Sequence, residues 1–212
     1  MYVPRIEALA TEGPFTSKDV DFLGDKEAVK ECARRLKLGR AIFDPPFSRD
    51  VPINTGIVTY VDDDGVERTI DFLASIMGPD AAEVRDTAPA VGIEGEAIRV
   101  MHPVLCILAR GPLILRLGRT DEHTLMQLRA IILCAREFLA DLLAAGHVRQ
   151  VYKWNERLFW YATKKDGIEI YKRFNIDVSK AILLDDRLSE EFRSRRYPQM
   201  CARIRAKRGS TG

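Results

Sequence analysis

Apolar positions recur along this chain with two different periods, and the change of period divides it. From Lys18 to Leu23 polar and apolar residues alternate and then run apolar, the pattern of a short strand that Gly24 ends. Asp25 suits an N-cap, and Val29, Cys32, Ala33 and Leu36 keep helical spacing after it. This predicts a helix from about Lys26 to Leu38, with Gly39 as its stop. Residues 41–54 contain Pro45, Pro46 and Pro52 and read as a loop. Two strand-like runs, Thr55–Asp62 and Val66–Ala74, flank Asp63-Asp64-Gly65 and predict a hairpin. Residues 88–100 read as extended, with a bend at Gly92 and Gly95.

The helical period takes over after His102. Pro103 suits the first turn of a helix, and Val104, Leu105, Ile107 and Leu108 continue it as far as Gly111-Pro112. Thr120, Asp121 and Glu122 open a long helix to about Ala145, with Gly146 as its stop. Leu125, Leu128, Ile132, Leu139 and Leu142, with further apolar residues between them, predict burial on more than one side. Residues 150–208 read as several short amphipathic helices punctuated by Pro198. Strands followed by helices predict an α+β fold, divided near residue 101 into an N-terminal part, 1–101, and a helical part, 102–212.

Composition narrows the function classes. With 212 residues, 46% apolar and 30% charged, the chain is neither collagen-like, nor a disordered tail, nor a disulfide miniprotein. The best apolar runs are broken by Arg110 and Arg136, so no membrane span is expected. Met1-Tyr2-Val3-Pro4-Arg5 is not followed by an apolar run, so no signal peptide is expected. Cys32, Cys106, Cys134 and Cys201 are far apart and lack metal-ligand spacing. They read as reduced thiols of a cytoplasmic protein. The formal charge of +2 hides an asymmetry: residues 1–146 hold 17 basic and 23 acidic residues, and residues 147–212 hold 16 and 8. An acidic part joined to a basic part suits metal binding in one and a polyanion in the other; solvated charged faces give the same count.

The candidate chemistry lies in Asp19, Asp21 and Asp71. On a strand, Asp19-Val20-Asp21 sets both carboxylates on one face, because side chains alternate. Two like charges so close repel, and a divalent cation such as Mg2+, which takes oxygen ligands, relieves this. Asp71 stands in a second strand between Ile70 and Phe72, where a carboxylate is either satisfied by a partner or part of a site. If the strands pair, three carboxylates meet, an arrangement that can hold divalent ions for displacement at phosphorus. Spacing alone also allows a solvated strand edge. Asp62-Asp63-Asp64 reads as turn chemistry.

The run Thr16-Ser17-Lys18-Asp19-Val20-Asp21-Phe22 resembles the Thr-x-Asp-x-Asp-Phe core of the nucleotidyltransferase superfamily, and most closely its bacterial AbiEii/AbiGii toxin-like branch. The likeness continues through Ile70-Asp71-Phe72-Leu73, Val100-Met101-His102-Pro103, Gln127-Leu128-Arg129 and Arg195-Arg196-Tyr197-Pro198-Gln199-Met200. The resemblance implies a mixed β-sheet with helices around it, followed by a helical domain. It implies Mg2+-dependent transfer of a nucleoside monophosphate from a nucleoside triphosphate to an acceptor, tRNA in some relatives. Asp19 and Asp21 match the metal-binding pair, and Asp71 matches the third carboxylate, which binds metal and activates the attacking hydroxyl. Relatives are commonly toxins of toxin–antitoxin or phage-defence systems, so a cognate antitoxin is an expected partner.

The sequence departs from that pattern in two places. The superfamily carries a Gly-Gly or Gly-Ser pair before the acidic strand, whose amides hold the triphosphate. Here Gly13, followed by Pro14, is the only glycine before Asp19, so the 1–101 domain reads as N-terminally truncated. The alternative expectation is therefore a catalytically inactive truncated paralogue acting as an interaction protein. A metal-dependent phosphoesterase is a third reading. Relatives also carry a lysine after the His-Pro pair, where this chain has Arg110; Arg116 and Arg119 are further candidates.

Thr16, Ser17, Lys18 and Arg110 are the expected nucleotide-binding groups, with turn chemistry and solvation as their bland readings. His102 reads as structural, and Trp154, Phe159, Trp160 and Tyr161 as core of the helical part. The segment Arg193–Arg208 offers seven basic residues to an RNA backbone or to solvent.

Overall fold

The computed structural model describes residues 21–43, 54–93 and 95–209. The fold is α+β, a mixed four-stranded sheet followed by a helical region. Two compact units change over between Asp86 and Thr87, earlier than the division near residue 101 expected from the change of period.

The first unit holds strands β1 (Asp21–Leu23), β2 (Arg40–Ile42), β3 (Asn54–Val61) and β4 (Glu67–Leu73), and helix α1 (Lys26–Arg35). The sheet order is β1-β4-β3-β2; β1 runs parallel to β4 and the other pairs are antiparallel. The expected hairpin is β3–β4, and its turn glycine, Gly65, has φ +79°. Helix α1 starts where expected, with the Asp25 carboxylate accepting from the N–H groups of Glu27 and Ala28. Its apolar stripe packs on one face of the sheet, where Val29, Val58 and Phe72 are buried with Leu36, Ala41 and Ile70 around them. Gly56 lets the layers approach, since a Cβ there would stand 3.1 Å from a Val29 methyl carbon.

The end of α1 corrects the expectation for Gly39. The helix stops at Leu36, and Leu38, with φ 53°, is the left-handed residue. Gly39 is required for a different reason: a Cβ there would lie 2.2 Å from the Ala33 carbonyl oxygen.

Helix α2 (Ala81–Thr87) spans the change of unit. The second unit continues with the antiparallel hairpin of β5 (Ala90–Ile93) and β6 (Glu96–Arg99), which turns at Gly95, φ +88°. Five helices follow: α3 (Pro103–Arg116), α4 (Glu122–Ala144), α5 (Val148–Thr163), α6 (Lys165–Phe174) and α7 (Tyr197–Gly209). A 3-10 turn, Val178–Ala181, and a π-turn, Phe192–Arg196, lie between α6 and α7. Helix α4 packs against α3 and α5, and α5 packs against α6 and α7. Among the described residues, no helix is long and apolar enough to cross a membrane.

Helix α3 does not stop at Gly111-Pro112 but runs on to Arg116, correcting the expected end. Both residues are buried, and a Cβ on Gly111 would stand 1.7 Å from the Tyr161 hydroxyl. Glycine here answers a close crossing of α3 and α5, and the packing outweighs the cost of an internal proline. The end of α4 is as expected. Gly146 has φ +83°, and the N–H groups of Gly146 and His147 donate to the carbonyls of Leu143 and Leu142.

The segment after the 3-10 turn is tied to α5 by Asn155, which is fully buried. Its amide nitrogen donates to the Leu183 carbonyl at 2.9 Å, and its amide oxygen accepts the Leu183 N–H at 2.8 Å. Helices α5 and α7 then lie side by side in the same direction. Tyr152 meets Ser189, Glu156 meets Arg196 at 2.9 Å, and Trp160 meets Arg203.

Candidate functional site

The two described members of the carboxylate constellation are register partners. β1 pairs with β4 so that Asp21 lies opposite Asp71, Phe22 opposite Phe72 and Leu23 opposite Leu73. Registered residues of neighbouring strands share a face, with strands about 4.8 Å apart. The Phe22 and Phe72 rings stack at 5.7 Å on the opposite face from the carboxylates, which fixes the register. The strand end is pinned by the Gly24 N–H donating to the Leu73 carbonyl and the Thr55 hydroxyl donating to the Gly24 carbonyl. A Cβ on Gly24 would stand 2.8 Å from the Phe72 ring, so glycine belongs here.

Alternation in β4 explains how an aspartate fits between Ile70 and Phe72. Those two residues serve the α1 side, and Asp71 takes the other face, half-buried, beside the exposed Asp21. The cross-strand row continues through Ile57 to Ile42. The pair therefore sits at the β1 edge of an otherwise apolar row. Two adjacent carboxylates are a hard-oxygen donor set suited to Mg2+, which keeps waters at its remaining positions.

The remaining predicted groups distribute as follows. Thr16, Ser17, Lys18 and Asp19 lie outside the described residues. Arg110 belongs to the second unit, half-buried on α3. Arg116 forms an ion pair with Asp166 at 3.5 Å. Among the described residues, no group of three or more His, Cys, Asp or Glu is placed to hold a metal ion. Asp62 serves its turn: it accepts from the N–H groups of Asp64 and Val66 and from Arg68 at 2.7 Å, and Arg68 foremost holds its carboxyl below the ordinary range.

His102 is structural. Its Nδ1 accepts the Val104 N–H at 3.1 Å and caps α3, while its ring stacks on Trp154 at 3.9 Å and meets Phe138 edge-on. Burial, with the nearby Lys153 charge, holds its pKa down to about 4. Trp154 and Phe159 are core as expected; Trp160 is not, being 42% exposed. The cysteines are free thiols, and burial raises Cys106 to about 11.

The basic segment is divided between structure and surface. Arg193 pairs with Asp186, and Arg196 with Glu156. Arg208 pairs with Asp177 and lies over the Tyr171 ring at 3.9 Å. Burial pushes the Asp177 carboxyl up, but the bonds from Arg208 and Ser179 outweigh it and leave the pKa lowered. Arg195, Arg205 and Lys207 are exposed. Outside that segment, Lys165 and Lys172 of α6 are exposed seven residues apart, a spacing that marks one helix face and that the sequence reading passed over. No family model, curated protein or solved structure matches this chain.

Proposed function

We propose that the protein is a magnesium-dependent nucleotidyltransferase that moves a nucleoside monophosphate from a nucleoside triphosphate to an acceptor hydroxyl. The observation that carries this is the pairing of Asp21 with Asp71 in register on the sheet face opposite the α1 core. In the proposed chemistry, Asp21, Asp71 and Asp19 hold Mg2+, which supplies charge neutralisation at the phosphates. Asp71 also orients the acceptor hydroxyl and takes its proton. The hydroxyl oxygen forms the new bond to the α-phosphorus, and pyrophosphate leaves. Thr16, Ser17 and Lys18 are the proposed contacts to the triphosphate. RNA is the acceptor class and an antitoxin the protein partner within this proposal, in the cytoplasm.

The test is calorimetric titration of each nucleoside triphosphate into the chain, with and without Mg2+, alongside Asp21→Asn and Asp71→Asn. Magnesium-dependent binding that is lost in both variants is expected. A well-folded chain that binds none of the four would overturn the proposal and leave an inactive interaction protein in its place.

A further inference from the structure

The second unit carries a groove of about 530 Å³ between the end of α5, one face of α6 and the end of α7. Lys165, Lys172 and Arg173 line it from α6 and Lys207 from α7, against the single carboxylate of Glu169. Arg173 meets that carboxylate at 3.0 Å. The four cations are exposed, while Ile168, also in the lining, is half-buried.

Helix stability accounts for part of this pattern. Lys172 and Arg173 stand in the last turn of α6, where cations complement the helix dipole. Lys165 opens the helix, where a cation opposes the dipole, and Lys207 faces the same groove from another helix. Two helices, one of them from both its ends, thus bring positive charge to one concavity.

One helical turn before Thr163 and Lys207, the same two helices present Trp160 and Arg203. The indole is 42% exposed, and the guanidinium lies 5.2 Å from its ring. Cations at a groove beside an exposed aromatic match what a single strand offers: phosphates for the lysines and an unpaired base for the indole. An acidic peptide supplies charge without planar rings, and a duplex keeps its bases stacked.

We infer that this groove, with Trp160 and Arg203, binds single-stranded nucleic acid. This goes beyond the transferase proposal, because it names a binding surface in the other unit and needs no active carboxylate pair.

The experiment is fluorescence anisotropy of the full chain with labelled oligouridylate and oligodeoxythymidylate of about 20 nucleotides, a length covering at least one typical binding site. Magnesium and nucleoside triphosphates are absent, so an inert carboxylate pair leaves the result unchanged. Nucleotide binding without oligonucleotide binding would sink this inference alone. Lys165→Gln/Lys172→Gln/Lys207→Gln is expected to weaken binding about tenfold or more and to flatten the log–log salt slope by about 2, at about 0.7 per lost phosphate contact. Trp160→Ala is expected to weaken it about tenfold, with Trp160→Phe retaining most of the affinity. The control Lys30→Gln/Lys37→Gln/Lys180→Gln carries the same charge change elsewhere and should stay near the parent. Equal loss in the control, equal affinity for a blunt duplex, or binding confined to anionic vesicles would each overturn the inference.

Discussion

The two compact units handle polar groups in opposite ways. In the first, the buried cluster of Val29, Val58 and Phe72 lies on one side of the sheet, and the two aspartates stand on the other, where Asp21 is exposed. Solvent keeps the cost of adjacent like charges low there. In the second, polar groups are sunk among apolar helices. Asn155 is fully buried and bonded twice to Leu183, His102 is wedged between Trp154 and Phe138, and the Tyr161 hydroxyl crowds Gly111. The first unit keeps its candidate chemistry beside its core; the second builds its polar groups into the core. Single substitutions should therefore have larger effects in the second.

Asn155→Ala is the strongest way to sharpen that contrast. It strands the N–H and the carbonyl of Leu183, each at about 1–3 kcal/mol, so a loss of about 3 kcal/mol is expected. Both tryptophans of the chain lie in the second unit, so urea unfolding followed by tryptophan emission reads that unit. A loss below about 1 kcal/mol would mean that the bridge is dispensable.

Gly111→Ala comes next, at about 2 kcal/mol, because a methyl cannot fit beside the Tyr161 hydroxyl. Adding Tyr161→Phe removes the obstructing oxygen and should recover more than half of the lost melting temperature. A double variant no better than Gly111→Ala would place the crowding elsewhere.

Asp25→Ala is the smallest, about 1 kcal/mol for an N-cap. It should shift the far-ultraviolet circular dichroism transition while leaving the tryptophan transition in place. Equal shifts in both signals would break the comparison, since the units would then unfold as one.

Sequence made some of these features visible and hid others, for physical reasons. Hairpin β3–β4, the start of α1 and both ends of α4 rest on local chemistry: Asp and Gly in turns, aspartate caps and a glycine stop. Gly39 and Gly111 read as helix stops in sequence, yet both answer close packing instead, Gly39 against the Ala33 carbonyl six residues back and Gly111 against the Tyr161 hydroxyl of another helix. For the site, the alternation around Asp71 was readable, and the pairing with Asp21 needed only that two strands become neighbours. The α6 groove was hidden because Lys165 and Lys207 become neighbours only through the packing of α6 and α7.

The π-turn at Phe192–Arg196 works as a spacer that resets the phase of a helix. In an unbroken α-helix, Ile204 would sit about a third of a turn round from Phe192, and Met200 about a quarter. With one residue absorbed by the wider turn, all three fall into line, and all three are buried. Their spacing therefore already contains one surplus residue. Deleting one of Arg193–Arg196 would restore ordinary helical phase with the buried row intact, whereas deleting a second would rotate Arg203 away from Trp160. This stretch of chain is buffered against one change of length and brittle toward the next.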